Sequence, residues 1–152
     1  MRRKEKEITD NPVIEDIIQK AEVCRIGMCD GDVPYVVPMN FGYKDNCIYV
    51  HSAQEGRKID ILRKNNKVCF EIDYGNEIKK TEKACNWSSR YRSIIGFGRA
   101  FIVEGFQEKK KGLDIIMEHY TGKPEHEYPD NAVNSVAVIR IDIESMTGKK
   151  SD

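Results

Sequence analysis

The residues best suited to chemistry lie in one short segment, His51-Ser52-Ala53-Gln54-Glu55-Gly56-Arg57-Lys58. This segment joins the predicted end of a strand to the predicted start of a helix, where unpaired backbone N–H groups and the positive helix end can receive a phosphate. Ser52, Arg57 and Lys58 add hydrogen-bond donors, and Gly56 allows a close backbone approach. An ordinary capped helix with solvated basic residues fits the same pattern, so both readings stay open from these residues alone.

The histidines and cysteines offer fewer possibilities. His51 could transfer protons near neutral pH or hydrogen-bond a ligand, and we favour ligand contact. His119 and His126 have no neighbouring group that would give them a function. The five cysteines contain no C-x-x-C pair, so we expect reduced core residues and no metal site; they are Cys24, Cys29, Cys47, Cys69 and Cys85.

Charge and length limit the classes of function. Lys plus Arg and Asp plus Glu both number 25, so no long-range field favours nucleic acid or an anionic membrane. The charged start lacks the apolar core of a signal peptide, and no stretch approaches the roughly 18 apolar residues of a membrane span. We therefore expect a cytoplasmic protein of one domain, residues 1–152, with a charged arm at 1–10 and a polar tail at 145–152.

Helical spacing and strand alternation predict the elements that position these residues. Helices are predicted from Asn11-Pro12, over 55–65, and over about 113–121 before Gly122. Strands are predicted at about 23–29, 33–43, 47–51, 68–72, 91–103 and 137–143, with loops at 74–82 and 124–134. Pro34 and Pro38 should interrupt or expose the second strand, and Gly96 and Gly98 indicate a bulge in the fifth.

The order of these elements predicts a fold class. Turns at 30–32 and 44–46 connect the first three strands, which we expect to form a meander. Short links between strands favour antiparallel pairing, so the fold should be mainly β, a six-stranded antiparallel barrel with peripheral helices. No G-x-G-x-x-G motif follows a predicted strand, so the sequence does not support a tightly held nicotinamide dinucleotide. It also contains no motif of a hydrolytic nucleophile.

Six strings carry a resemblance over nearly the whole chain: 36–43 (VVPMNFGY), 48–53 (IYVHSA), 56–62 (GRKIDIL), 82–85 (EKAC), 91–98 (YRSIIGFG) and 139–149 (IRIDIESMTGK). In type and order they resemble the pyridoxamine-phosphate-oxidase-related, FMN-binding split-barrel family, and within it the nitroimidazole-resistance proteins. The resemblance implies a homodimer with two flavin mononucleotides (FMN) at the subunit interface.

The resemblance also implies which residues bind the cofactor. The strand 38–41 would lie along the flavin ring, and His51, Ser52 and Lys58 would approach the phosphate. The complete set is Pro38, Met39, Asn40, Phe41, His51, Ser52, Ala53, Gly56, Arg57, Lys58, Tyr91, Arg92 and Ser93. Arg92 fits an ion pair at the barrel mouth equally well, and Tyr91 is more often a packed aromatic.

Trp87 or the segment 147–149 could reach across the dimer to the partner's site. Asn86 and Ser88-Ser89, which flank Trp87, depart from the family pattern and could alter the substrate pocket.

Two functions follow as hypotheses. The first is an FMN-dependent oxidoreductase that passes electrons from a reduced donor such as NAD(P)H to a small aromatic or nitro-bearing acceptor, with the cofactor performing the redox chemistry. The second is a module that binds flavin or haem for sensing, storage or sequestration, because one fold hosts many functions. A dimerisation domain without a ligand is the third and weakest reading.

Overall fold

The structure is a computed structural model that describes residues 3–151, so Met1, Arg2 and Asp152 of the expected arm and tail lie outside it. Within this range the chain forms eight strands and four α-helices. The strands are β1 (Glu7–Ile8), β2 (Cys24–Asp30), β3 (Val33–Met39), β4 (Phe41–Lys44), β5 (Cys47–Ala53), β6 (Lys67–Lys79), β7 (Ser88–Ile102) and β8 (Val136–Ser151). The helices are α1 (Asn11–Lys20), α2 (Arg57–Lys64), α3 (Phe106–Thr121) and α4 (Asp130–Ser135). The mainly β, antiparallel class is thereby confirmed, with eight strands in residues 3–151 in place of the predicted six.

The strands pair in the order β3-β2-β6-β7-β8-β5-β4, and β1 pairs with β8. Each of these pairs is antiparallel. Both pairings of the predicted meander are present, β2 with β3 and β4 with β5. The predicted strand 33–43 is split at Asn40, however, so the two pairs stand at opposite ends of this order. The tight turns predict the two hairpins but not the partners that β2 and β5 take on their other sides.

The two ends of the sheet must nevertheless meet. Met39 ends β3 and Phe41 begins β4, yet these strands are the first and last of the order. Because only Asn40 separates them, the sheet has to curl until its ends lie together. The seam between the ends is closed by this covalent link and not by a hydrogen-bonded ladder, which gives a split barrel.

Packing inside the barrel leaves little space. Apolar side chains from α1, α2 and most strands form one buried cluster, in which Ile14, Ile17 and Ile18 form the apolar stripe of α1. A cavity among β2, β3, β5, β7, β8 and α2 has a volume of about 10 Å³. That is no larger than one water molecule needs, so a cofactor of nucleotide size has to lie outside the barrel wall.

Several boundaries differ from the sequence expectations. The predicted loop 74–82 is strand as far as Lys79, with a register irregularity between Tyr74 and Glu77. The predicted polar tail forms the second half of β8 up to Ser151, where it pairs with β7. Part of the predicted arm, Glu7–Ile8, pairs with β8 as well. Segments 74–79 and 145–151 are mostly polar, so they lack the apolar alternation that would identify strands, and Glu7–Ile8 is too short to show any alternation.

The predictions for individual glycines, prolines and cysteines can be compared with the structure. The bulge expected at Gly96 and Gly98 is confirmed by a register shift between Phe97 and Gly98. Pro34 and Pro38 are exposed on β3, which stands at the end of the strand order, as expected for prolines. The prediction of core cysteines is wrong for three of five: all are free thiols, but Cys29, Cys69 and Cys85 are exposed, Cys47 is half-buried and only Cys24 is buried.

Candidate functional site

The start of α2 has the backbone geometry of an open anion site. Gly56 precedes the helix with a φ of 121°, a conformation that L side chains rarely adopt. Its carbonyl accepts hydrogen bonds from the N–H groups of Ile59 (2.9 Å) and Asp60 (3.1 Å). Within residues 3–151 no side chain caps this helix, and the N–H groups of Arg57 and Lys58 have no acceptor. Those two donors therefore point to a region where a ligand could accept from them.

Space in front of this helix start is available. A Cβ atom built on Gly56 would meet no heavy atom within 4 Å. Gln54, two residues before Gly56, donates its side-chain N–H to the carbonyl of Asn134 at the end of α4. The loop is therefore anchored on one side and open on the other. Sequence reasoning missed this anchor because the residues 130–135 carry no strong helical pattern.

Two basic side chains at the start of α2 lie against β3. The guanidinium carbon of Arg57 stands 4.6 Å from the centre of the Tyr35 ring, a distance that gives a cation–π contact. Lys58 is half-buried and lines the small interior cavity beside Met39. The structure thus brings the predicted phosphate residues 57–58 next to the predicted ring strand at Met39.

Neighbouring residues at the end of β5 point to opposite sides of the sheet. His51 and Ala53 are exposed, whereas Ser52 between them is buried. The Ser52 hydroxyl donates to the carbonyl of Ala53 at 2.8 Å. Successive side chains of a regular strand point to opposite faces of the sheet. The side chains of His51 and Ser52 therefore cannot both contact a ligand on one face.

The residues predicted to lie along the flavin ring, 38–41, differ in how deeply they are buried. Pro38 is exposed, and Met39 packs on the core. Phe41 is fully buried, and its ring centre lies 4.5 Å from that of His119 on α3. The side-chain amide of Asn40 donates to the hydroxyl of Tyr120 at 3.2 Å. The sequence places Tyr120 only within the predicted helix 113–121, since nothing local connects it with residue 40.

Tyr91, Arg92 and Ser93 lie far from the start of α2 in the same chain. They pair with residues 149–151 of β8, whereas residues 51–53 pair with residues 136–138 of that strand. The two groups are therefore separated by about 36 to 50 Å of strand, at about 3.3 Å per residue. A single chain does not bring these two groups to one flavin.

The outer face of the sheet exposes apolar side chains. The ladder registers place Val36, Gly27, Cys69 and Phe97 side by side across β3, β2, β6 and β7, and we call these four residues the outer apolar row. Val36 is 61% and Phe97 55% exposed. Ile95, two residues before Phe97, is 51% exposed, and by strand alternation Tyr91 and Ser93 share this face. An exposed apolar surface of this kind is typical of an interaction site.

A charged cluster borders the outer apolar row beside Pro38. Arg25, opposite Pro38 in the ladder, donates to Glu71 at 2.9 Å and also to Asp73. Burial raises the pKa of Glu71, and the hydrogen bond from Arg25 opposes that rise. With both carboxylates ionised the cluster is net negative, so it disfavours a phosphate here and leaves the start of α2 as the better anion site.

Among residues 3–151, no group of three or more His, Cys, Asp or Glu side chains is arranged to hold a metal ion. His119 is engaged with the Ala21 carbonyl at 2.7 Å, and His126 with Thr121 and Lys123. His51 has no hydrogen bond within the described part of the chain and is exposed. It is therefore the histidine that is available to a ligand.

The chain is thus an antiparallel split barrel with an open helix start beside its seam. A sequence profile of the family described as pyridoxamine 5'-phosphate oxidase matches residues 10–150. The chain belongs to the pyridoxamine 5'-phosphate oxidase family.

Two solved structures are similar to this chain, one in sequence and fold and the other in fold alone. A candidate 5-nitroimidazole antibiotic resistance protein from Bacteroides thetaiotaomicron is 41% identical, covers 95% of this chain and 86% of its own, and has a TM-score of 0.84. Flavocytochrome Anf3 from Azotobacter vinelandii is 18% identical with a TM-score of 0.85, over 100% of this chain and 72% of that one, which shows a shared fold.

Among curated proteins, an uncharacterized protein of Rhizobium meliloti (strain 1021) is 33% identical over 85 residues. The match covers 56% of this chain and 49% of that protein, so it spans about half the length of that relative.

The α-helices of residues 3–151 include none that is both long and apolar enough to cross a membrane.

Proposed function

We propose that this chain binds FMN on the outside of its barrel, with the phosphate at the start of α2 and the ring along β3. The observation that carries the proposal is the uncapped start of α2, where Gly56 faces open space and the N–H groups of Arg57 and Lys58 have no partner within residues 3–151. Backbone donors, a helix dipole and two basic side chains are the groups that bind phosphate in proteins.

The edge of β3 is suited to the flavin ring. An edge strand leaves every second backbone N–H and C=O without a strand partner, and the ring edge of a flavin carries matching donors and acceptors. Within residues 3–151, β3 pairs with β2 alone and stands at the end of the sheet. Met39 and Lys58 line a common cavity, so ring strand and phosphate helix are adjacent. Bound FMN would supply the redox chemistry, and the chain would hold and orient it.

The site is proposed to be completed by a second copy of the chain. Tyr91 and Ser93 are too far from the start of α2 to meet the same flavin within one chain, and they share a face with the outer apolar row. A homodimer that buries this row would bring them to the partner's flavin.

Trp87 is 49% exposed at the end of the β6–β7 ribbon and is a second candidate to reach across. Its ring N–H donates to the Thr81 carbonyl at 2.9 Å, which fixes its direction. The segment 147–149 is less suited to that role, since it is paired with β7.

The proposed activity is electron transfer from a reduced donor such as NAD(P)H to a small aromatic or nitro-bearing acceptor. It is supported by the 41% identity to a candidate 5-nitroimidazole antibiotic resistance protein. A two-electron donor would reduce the bound flavin and leave as its oxidised form, and the acceptor would take the two electrons. No dinucleotide motif follows a strand, so the donor would bind transiently.

The cofactor is tested by purifying the protein and identifying what it releases on denaturation. The account predicts a yellow protein that releases FMN, or colourless protein that binds added FMN. FAD in place of FMN would correct the cofactor, and a haem spectrum with no flavin would favour the binding module. Failure to bind any of the three would contradict the proposal.

The activity is tested separately under anaerobic conditions. FMN-loaded protein is mixed with NADH or NADPH and then with a nitroaromatic compound, while flavin absorbance is followed. Bleaching by the donor and recovery with the acceptor are expected. A loaded protein that no donor reduces would exclude this donor-dependent activity and favour the non-catalytic binding module.

A further inference from the structure

The strand segment proposed to carry the flavin ring is tied to α3 by one hydroxyl group. The N–H of Phe41 donates to the Tyr120 hydroxyl at 3.0 Å, and the side-chain amide of Asn40 donates to the same oxygen at 3.2 Å. That hydroxyl donates its own hydrogen to the Glu22 carbonyl at 2.7 Å. A phenolic hydroxyl has one hydrogen to donate and can accept as well, so both capacities of Tyr120 are in use.

His119, the preceding residue on α3, reinforces the same connection. Its Nε2 lies 2.7 Å from the Ala21 carbonyl, and because a carbonyl only accepts, Nε2 carries the hydrogen. Its ring packs against Phe41 at 4.5 Å between centres. The last turn of α3 therefore holds the α1–β2 link and the β3–β4 link together.

The β3–β4 link depends on this hold because no ladder closes the barrel there. β3 and β4 stand at opposite ends of the strand order, and Asn40 lies in neither strand. The direction in which the chain leaves Met39 is consequently set by the bonds at Asn40 and Phe41. A change in that direction would alter the contacts of any ligand bound along the end of β3.

We propose that Tyr120, together with Asn40, is a positioning residue for the flavin. Tyr120 fixes the β3–β4 link, and Asn40 turns its amide to Tyr120 and to Glu22 instead of to the ligand. This inference rests on the proposed FMN site, and it deepens that proposal by assigning the geometry of the ring strand to the last turn of α3.

The test compares Tyr120→Phe with a matched control, Tyr43→Phe. Tyr43 lies on β4, packs on the core, and its hydroxyl has no hydrogen bond within residues 3–151. The FMN dissociation constant of Tyr120→Phe is expected to rise about fivefold to tenfold, the effect of losing about one neutral hydrogen bond. The fine structure of the visible flavin band should also change, because the ring environment changes. Tyr43→Phe should bind FMN like the wild type.

A purely structural role of Tyr120 would lower stability but would leave the affinity and spectrum of folded protein unchanged, and that result would overturn the inference. Equal weakening by both variants would overturn it too. Asn40→Ala removes one of the two hydrogen bonds that the Tyr120 hydroxyl oxygen accepts, so it should also weaken FMN binding, but by less than Tyr120→Phe. This variant provides a second measurement if Tyr120→Phe folds poorly. Wild-type protein that binds no FMN would contradict the proposed function itself, whereas wild-type binding with unchanged variants would contradict the inference alone.

Discussion

Single residues at the start of α2 contribute to anion binding in different ways. Gly56 provides a backbone conformation and open space, whereas Lys58 provides a charge on a stem that lies beside Met39. A lysine with a packed stem and a free ammonium loses less side-chain freedom when it binds a phosphate. The exposed Arg57 is held on Tyr35 and is similarly pre-positioned.

Replacement of Lys58 tests the charge directly. Lys58→Ala should weaken FMN binding by about 1.5 to 3 kcal/mol, the value of a charge-assisted hydrogen bond. Lys64→Ala is the matched control, since Lys64 is exposed at the opposite end of the same helix. Fluorescence titration of both variants measures the difference. Equal affinities for the two variants would remove Lys58 from the site.

The segment 51–58 could be predicted from the sequence because strand, glycine and helix start follow one another locally. The role of Tyr120 could not, because its partners Phe41 and Glu22 are 79 and 98 positions away along the chain. The separation of residues 91–93 from residues 51–58 also depends on strand pairing and not on any local pattern.

α3 packs so closely on the barrel that residue 42 of β4 has to be glycine. A Cβ atom on Gly42 of β4 would overlap the carbonyl of Ile115 and lie 2.7 Å from the N of Ile116. Both contacts are backbone atoms, which cannot turn aside. The helix that carries Tyr120 is therefore placed against β4 by the absence of a side chain.

Gly42→Ala should force α3 away from β4 and lower the free energy of unfolding by about 1 to 3 kcal/mol, as overpacking does. Lys44→Ala on the same strand is the control. Lys44 is exposed and 3.9 Å from Glu118, and such surface pairs contribute little. Urea denaturation measures both. A Gly42→Ala protein as stable as Lys44→Ala would show that the close approach of α3 is not required.

Elements with clear apolar periodicity could be predicted, and polar ones could not. The buried stripe of α1 and the glycine end of α3 at Gly122 match their sequence signals. Strand residues 74–79 and 145–151 carry polar, exposed side chains. Their strand character comes from pairing with β7, which distant residues supply.

For the whole molecule, the outer apolar row is the surface proposed to meet a second copy. It lies on the face shared by Tyr91 and Ser93, so burying it and completing the flavin site would be one event. The sequence indicated an antiparallel barrel and its two early hairpins, but not the break at Asn40 that puts β3 and β4 at opposite ends of the strand order. Strand partners are set by the closure of the entire barrel, which no short motif encodes.

Charge placed in the outer apolar row should prevent this association. Phe97→Asp is expected to convert a dimer to monomers in sedimentation or light scattering, because an isolated carboxylate is costly to bury. Gln107→Asp is the control, because it adds the same single charge at an exposed position on α3, away from the outer apolar row. A wild-type protein that is already monomeric would contradict the proposed dimer.

Thiol labelling reports the same association by a second route. Cys69 lies in the outer apolar row and should be protected in the dimer but labelled in Phe97→Asp. Burial raises the pKa of Cys24 to about 12, so Cys24 should stay unlabelled while the barrel is folded. Equal labelling of Cys69 in both proteins would show that the row is not covered.

The phosphate anchor at the start of α2 is the central claim, and comparing FMN with riboflavin tests it most directly. The two ligands share the flavin ring and differ in the phosphate. The account predicts that apo-protein binds FMN about tenfold or more tightly than riboflavin, the value of at least one charged hydrogen bond. Equal dissociation constants for FMN and riboflavin would contradict the claim.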